Sequence, residues 1–159
     1  MRIENRKMSI ITSVIVAFIC SAVPLPSVLG DINIPWVAVV LAYWCAKSPE
    51  QMSVISAWLV GLLFDIFAGA ILGQHALGFA LVAYLTLVYH HRFKFAPLAE
   101  KMLFITLIIL LYRMLAWQIY YSFGTVNYSV AYIWSAIFAP VVWIVVSITL
   151  RDRPLKRSL

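Results

Sequence analysis

Charged residues are scarce in this sequence, and their scarcity narrows the class of protein. Of 159 residues, 11% are Asp, Glu, Lys or Arg, whereas 64% are hydrophobic. Soluble domains are about 25% charged and about 45–50% apolar. A chain with so little charge lacks the surface that a soluble domain turns toward water, so we expect lipid to be its main solvent.

Cysteines and catalytic groupings are scarce as well. The two cysteines, Cys20 and Cys45, fall in different apolar stretches, so a disulfide framework is not expected. The sequence also lacks a nucleophile with a base, a pair of nearby carboxylates and a set of metal ligands, which are the arrangements that catalytic sites need. We therefore expect neither an enzyme nor a cofactor or metal site.

Lysine and arginine are absent from three links between apolar stretches, residues 24–34, 68–73 and 122–130. By the positive-inside rule, these links face outward and the cationic ends face the cytoplasm. Both termini are then cytoplasmic, and residues 151–159 form a basic tail. The net charge of +6 suits anionic membrane lipids, and nucleic acid is not an expected partner.

Six apolar stretches separate these links, and each is predicted to be a membrane-spanning helix. They cover residues 8–23, 34–46, 50–67, 73–89, 102–121 and 130–150. The predicted fold is an all-α bundle of six transmembrane helices in a single membrane domain, residues 1–159. The first stretch could instead be a signal peptide, but no A-x-A-like cleavage site follows it.

Small residues recur at steps of three or four along the third and fourth spans. Such stripes let two helix backbones approach closely, and the short link between these spans predicts a tightly packed hairpin. Small residues are common in membrane helices, so one stripe can also be accidental. The residues concerned are Ser53, Ala57, Gly61, Gly69, Gly73, Ala76 and Ala80.

The inner link before the third span contains Ser48-Pro49-Glu50-Gln51. Serine, proline, an acid and glutamine in this order are typical of a capped helix start. The pattern predicts a tight turn, with the third helix beginning at Pro49.

Asp65 and Arg113 are the two ionisable residues well inside the predicted spans. A charge at the bilayer centre costs at least about 2.5 kcal/mol, so each needs a partner. Their depths, counted from the cytoplasmic helix ends, differ by about 6 Å, which an arginine side chain can bridge. We predict a contact between them, direct or through water, that pins the bundle. A ligand or proton site is the alternative, although only Gln74 and His75 lie close in sequence.

Two further surfaces are predicted to contact lipid or a partner. One is the face of the first span that carries Ser9, Ser13 and Ala17, together with Trp117 on the aromatic fifth span. The other is the cytoplasmic end of the fourth span, where cationic and aromatic residues alternate. Its residues are His90, His91, Arg92 and Lys94.

Several segments resemble the MreD family of bacterial rod shape-determining membrane proteins. They are Pro35-Trp36-Val37, Tyr43-Trp44, Pro49, Gly61-Leu62-Leu63-Phe64-Asp65-Ile66, Gly69, Leu72-Gly73, Ala76-Leu77 and Tyr84. The resemblance implies a non-enzymatic scaffold in the inner membrane, within the complex that builds sidewall peptidoglycan. It implies MreC as the main partner, with MreB, RodA and a class B penicillin-binding protein in the same complex.

The same family is similar in its six-helix fold to the S components of energy-coupling-factor transporters. This similarity leaves a second function class open, a small-molecule binding or transport protein. Its pocket would open outward near Asp65 and be lined by His75 and residues 24–35.

Overall fold

The structure is a computed structural model that describes residues 2–22, 34–122 and 135–150. Within these ranges all regular structure is helical, which confirms the predicted all-α class, and each predicted span overlaps one α-helix. The helices are α1 (Arg2–Ala22), α2 (Trp36–Lys47), α3 (Val54–Ala68), α4 (Gln74–Phe95), α5 (Leu98–Ser122) and α6 (Ala139–Thr149), the last preceded by a 3-10 turn at Ser135–Phe138.

The short helix α2 lies at the centre of the bundle. It packs against α1, α4, α5 and α6, and residues 37–45 are all buried. A helix that is apolar on every side is stable only when other helices surround it or lipid does. Twelve residues rise about 18 Å, which is less than the thickness of the hydrocarbon core of a bilayer. Contact with neighbouring helices therefore explains why α2 is apolar on every side.

Helix α3 begins later than predicted. The backbone N–H of Gln51 donates to the carbonyl of Ser48 at 3.0 Å, so residues 48–51 close a tight turn of their own. The helix starts at Val54, where Ser53 and Ser56 form a capping box through reciprocal bonds of 3.0 and 3.1 Å. The predicted tight turn is present. The predicted helix start at Pro49 was wrong, because residues 48–51 belong to this turn and not to α3.

Length and composition identify α5 as a helix able to cross a membrane, while α2, α3 and Ser135–Thr149 are shorter apolar helices. Helix α4 extends to Phe95, six residues beyond the predicted end of its span, and α5 begins at Leu98, four residues early. Among the described helices, α5 alone is both long and apolar enough to cross a membrane, so the number of membrane crossings stays a prediction.

Candidate functional site around Asp65

Asp65 lies in the last turn of α3, and none of its surface is exposed. Its Oδ2 accepts hydrogen bonds from the backbone N–H groups of Gly73 at 2.8 Å and Ala76 at 3.3 Å. Its Oδ1 accepts from the backbone N–H of His75 at 2.9 Å and from the ring Nδ1 of His75 at 2.8 Å. Both carboxylate oxygens are therefore occupied as acceptors by the beginning of α4.

These bonds make Asp65 the cap of the helix that follows it. The first backbone N–H groups of a helix have no partner inside the helix, and Gly73, at the N-cap of α4, has no side chain to supply one. A carboxylate near a helix N-terminus also interacts favourably with the helix dipole. The acid therefore satisfies buried donors that would otherwise be costly to leave unbonded.

Two glycines make this arrangement possible. Gly69, at the C-cap of α3, has φ 60°, and Gly73 has φ 97°, a left-handed conformation that residues with a Cβ adopt at a cost. The backbone N–H of Ala70 donates to the carbonyl of Asp65 at 3.0 Å. The chain thereby reverses direction and brings the amides of α4 onto the Asp65 side chain.

Helices α3 and α4 touch at their backbones near this site. A Cβ atom added to Gly61 would lie 2.4 Å from the Cα atom of Ala76 and 2.9 Å from the carbonyl oxygen of His75. Both Gly61 and Ala76 are buried, as is Ala57. Close packing of the α3–α4 hairpin thus depends on these three small side chains.

The other members of the small-residue stripe have different roles. Ser53 caps α3, and Gly69 and Gly73 form the turn between α3 and α4. Helix packing, the role that the sequence predicted for these three residues, is therefore not their role. Ala80 is half-buried. Spacing alone could not separate a packing glycine from a turn glycine, because both obey the same interval.

Aromatic rings surround the imidazole of His75. Its ring centroid lies 4.9 Å from that of Phe64, 6.1 Å from Phe79 and 6.2 Å from Tyr112. Because a carboxylate oxygen only accepts, Nδ1 of His75 carries the proton in its bond to Asp65. The aromatic rings screen this bond from solvent and hold the imidazole in one orientation.

The predicted direct contact between Asp65 and Arg113 does not form, because all four bonds to the carboxylate come from residues 73–76. Arg113 is nevertheless buried, with 1% of its surface exposed. Its guanidinium carbon lies 5.3 Å from the centroid of the Tyr112 ring, which in turn contacts His75. Depth and charge suggested the pairing, but neither indicated that backbone N–H groups of α4 would bind the carboxylate instead.

Part of the predicted partner face on α1 is occupied inside the molecule. The indole Nε1 of Trp44 donates to Oγ of Ser13 at 2.8 Å, and Ala17 is buried. Ser9 is exposed. The serine and alanine face of α1 therefore packs against α2, which corrects the expectation that Ser13 and Ala17 are open to another protein.

The C-terminal end of α4 is mostly exposed. The rings of His90 and His91 lie 4.0 Å apart, and Nε of Arg92 donates to Oε1 of Glu100 at 3.3 Å. Lys94 is exposed. Within the described residues, no three His, Cys, Asp or Glu side chains come together as metal ligands would.

Trp117, the remaining predicted contact residue, is half-buried on α5. Its indole ring stacks on Tyr121 at a centroid distance of 5.7 Å. Gln74 was named only as a polar neighbour of Asp65 in the alternative ligand or proton site. It is buried, and within the described residues neither its Oε1 nor its Nε2 has a hydrogen-bond partner.

Comparison with known proteins identifies the family. Residues 1–153 match the family model described as rod shape-determining protein MreD. This chain belongs to the MreD family. It is also 24% identical over 135 residues to the rod shape-determining protein MreD of Haemophilus influenzae, an alignment that covers 85% of this chain and 83% of the relative. No solved structure matches this MreD-family chain.

Family membership gives the chain a general role and class. MreD proteins are membrane proteins of rod-shape determination. The likeness in fold to transporter S components stays a prediction.

Proposed function

We propose that this MreD-family chain is a non-enzymatic, six-pass scaffold of the bacterial inner membrane. It holds together components of the complex that builds sidewall peptidoglycan. The observation that carries the proposal is the hydrogen bonding of Asp65, the acid that lies well inside the apolar helices. Both of its carboxylate oxygens are bonded to α4, so the acid stabilises the bundle and has no free oxygen for chemistry.

Exposed apolar side chains support placement in a membrane. Large apolar residues face outward along α1, α3 and α5, among them Ile15, Leu63 and Leu107, each at least half exposed. Soluble monomers rarely expose continuous apolar surface of this extent. Lipid or other membrane helices would cover these faces without cost.

Contacts between helix ends support the proposed topology. Arg6, at the start of α1, donates to Glu50 in the inner turn at 3.1 Å. Nζ of Lys47, at the end of α2, donates to the carbonyl of Leu150, just after α6, at 2.7 Å. The beginning of α1 and the end of α6 thus lie at the same end of the bundle, as two cytoplasmic termini require.

MreC is the proposed main partner, with MreB, RodA and a class B penicillin-binding protein in the same complex. Since Ser13 and Ala17 pack on α2, the seat that we propose for a partner helix moves to the other side of α1. There, α1 and α3 enclose an apolar groove of about 600 Å³. Ile15 and Leu63 line this groove, which has almost no polar surface to fix a small polar ligand.

Binding of a small molecule at Asp65 has weaker support. The acid is fully buried, and among the described residues the cavity beside Tyr112 and Arg113 measures about 10 Å³, room for about one water molecule. Residues 24–33, which were predicted to line the pocket, lie outside the described residues. A vitamin-sized ligand needs a pocket of several hundred Å³.

Affinity purification of the full chain in mild detergent tests the scaffold role. We expect a single-span protein with a large periplasmic domain to copurify, and the Ile15→Trp variant, which fills the groove, to retain less of it. Leu107→Trp on α5 is the control. Copurification of a small ligand in stoichiometric amount, without a protein partner, would contradict the proposal.

A further inference from the structure

A cleft of about 380 Å³ opens at the cationic end of the molecule, between the ends of α2, α4, α5 and α6. It receives one lysine from each of three helices, Lys47 from α2, Lys94 from α4 and Lys101 from α5. The surface at the end of α4 that was predicted to contact lipid or a partner therefore lies on two sides of the helix. Lys94 faces the cleft, whereas Arg92 lies on the other side of the helix, with Glu100.

Lys94 and Lys101 are not neutralised by nearby acids within the described residues. Glu100 is bonded to Arg92 and Glu50 to Arg6, so neither pairs with Lys94 or Lys101. Nζ of Lys47 donates to Oη of Tyr43 at 2.9 Å and is held at the wall of the cleft. The cleft therefore attracts an anion.

Aromatic side chains form the floor of the cleft. The ring centroid of Trp143 lies 5.1 Å from that of Phe93 and 5.6 Å from that of Tyr43, and Nζ of Lys101 lies 5.8 Å from the Phe93 centroid. Phe93 and Trp143 are buried, so the floor is rigid. The site is preformed by residues from α2, α4 and α6.

The outer rim of the cleft is apolar. Leu98 is 57% exposed and Ile148 is 70% exposed, and both line the cleft on its open side. A ligand that fits must therefore join a negative group to an apolar chain. Basic pockets between membrane helices on the cytoplasmic side bind lipid headgroups in this way.

We propose that this cleft binds the phosphate headgroup of an anionic phospholipid from the inner leaflet. Lys94 and Lys101 contact the phosphate, and the acyl chains lie along Leu98 and Ile148. The proposal rests on the membrane placement given above and goes beyond the scaffold role. An acidic protein segment is a weaker candidate, because it would leave the apolar rim uncovered.

Native mass spectrometry of the full chain in detergent tests the proposal, with phosphatidylglycerol and phosphatidylcholine as probes. We expect phosphatidylglycerol to bind at least tenfold more tightly. Each lysine near an anionic headgroup contributes about fivefold in affinity, so the Lys94→Gln, Lys101→Gln double variant should weaken phosphatidylglycerol binding about 25-fold.

The matched control removes two cations from the same end of the molecule but outside the cleft, through Lys7→Gln and Arg92→Gln. It should change affinity less than twofold. All four residues are exposed or half-buried, and an unchanged melting temperature would verify that the variants fold.

Several results would overturn the proposal. Equal losses in the two double variants would mean general surface attraction, and equal binding of the two lipids would mean that only acyl chains are recognised. Displacement by inorganic phosphate at comparable concentration would identify free phosphate as the ligand, and stronger binding of a polyglutamate peptide would identify an acidic protein segment. Carbonate extraction of cell membranes tests membrane placement separately.

Discussion

At the scale of single residues, the buried carboxylate of Asp65 is the feature around which the α3–α4 hairpin is organised. Its two oxygens accept hydrogen bonds from four N–H groups of residues 73–76. An acid is better suited to this position than an amide of the same shape, because an amide has only one acceptor oxygen. The residue therefore acts as a cap that belongs to the preceding helix.

Replacing Asp65 by Asn should destabilise the protein. The new NH₂ group would face backbone N–H groups, and leaving buried donors unsatisfied costs about 1–3 kcal/mol. Thermal unfolding in detergent should show a lower melting temperature for Asp65→Asn. Glu50→Gln, at an exposed ion pair, serves as control and should melt like the parent. A full melting temperature in Asp65→Asn would mean that the four bonds contribute little.

Gly61 offers a second test at the residue scale. In the Gly61→Val variant the new Cβ would lie 2.4 Å from backbone of Ala76, where no side chain can move aside, so the helices must separate at a cost of about 1–3 kcal/mol or more. The amount of folded protein recovered in detergent should fall. Ala68→Val, on the exposed side of α3, should be recovered normally; equal recovery of the two variants would contradict backbone contact at Gly61.

At the scale of helices, α1 has two faces with different surroundings. One face packs against α2 through Ser13 and Ala17, whereas the other borders the apolar groove shared with α3. A helix held mainly along one side leaves the opposite side for another membrane helix. The groove, and not the serine and alanine face, is therefore the surface to test for a partner.

Photocrosslinking can locate the partner helix. A photoreactive residue at Ile15 or Leu63 should capture a single-span membrane protein in cells, because both positions line the groove. The same residue at Leu107, exposed on α5, should capture it much less. Equal capture at all three positions, or at Leu107 alone, would place the partner elsewhere.

At the scale of the whole molecule, one end of the bundle carries the described cations other than the buried Arg113, and the other end carries the Asp65 turn. Arg6, Lys47, Lys94 and Lys101 gather at the first end, whereas residues 69–73 at the second end have no charge. This asymmetry is the physical basis of the proposed orientation, since cations are retained on the cytoplasmic side.

Labelling of single cysteines tests the orientation. In a background with Cys20→Ala and Cys45→Ala, Leu72→Cys should react with a membrane-impermeant maleimide in cells whose outer membrane has been opened. Lys94→Cys should react only after the inner membrane is disrupted as well. Both positions are exposed in the structure, so access to the reagent depends on the membrane. Labelling of Lys94→Cys from outside would reverse the topology.

The amino-acid sequence by itself determined the helical class, the approximate position of all six helices, the clustering of cations and the burial of Asp65. These features depend on composition and local periodicity, which short segments of the sequence are enough to reveal. Helix ends were less predictable, as the start of α3 at Val54 illustrates, because nearby serines compete for the same cap.

Only the tertiary structure decided which groups meet. The partner of Asp65 is set by the left-handed turns at Gly69 and Gly73, which return α4 onto the acid before Arg113 can reach it. Gly61 packs against α4, whereas Gly69 and Gly73 form the turn, and the α1 face is occupied by Trp44. Each outcome depends on backbone direction over several residues and on distant helices arriving together, and residue spacing carries neither kind of information.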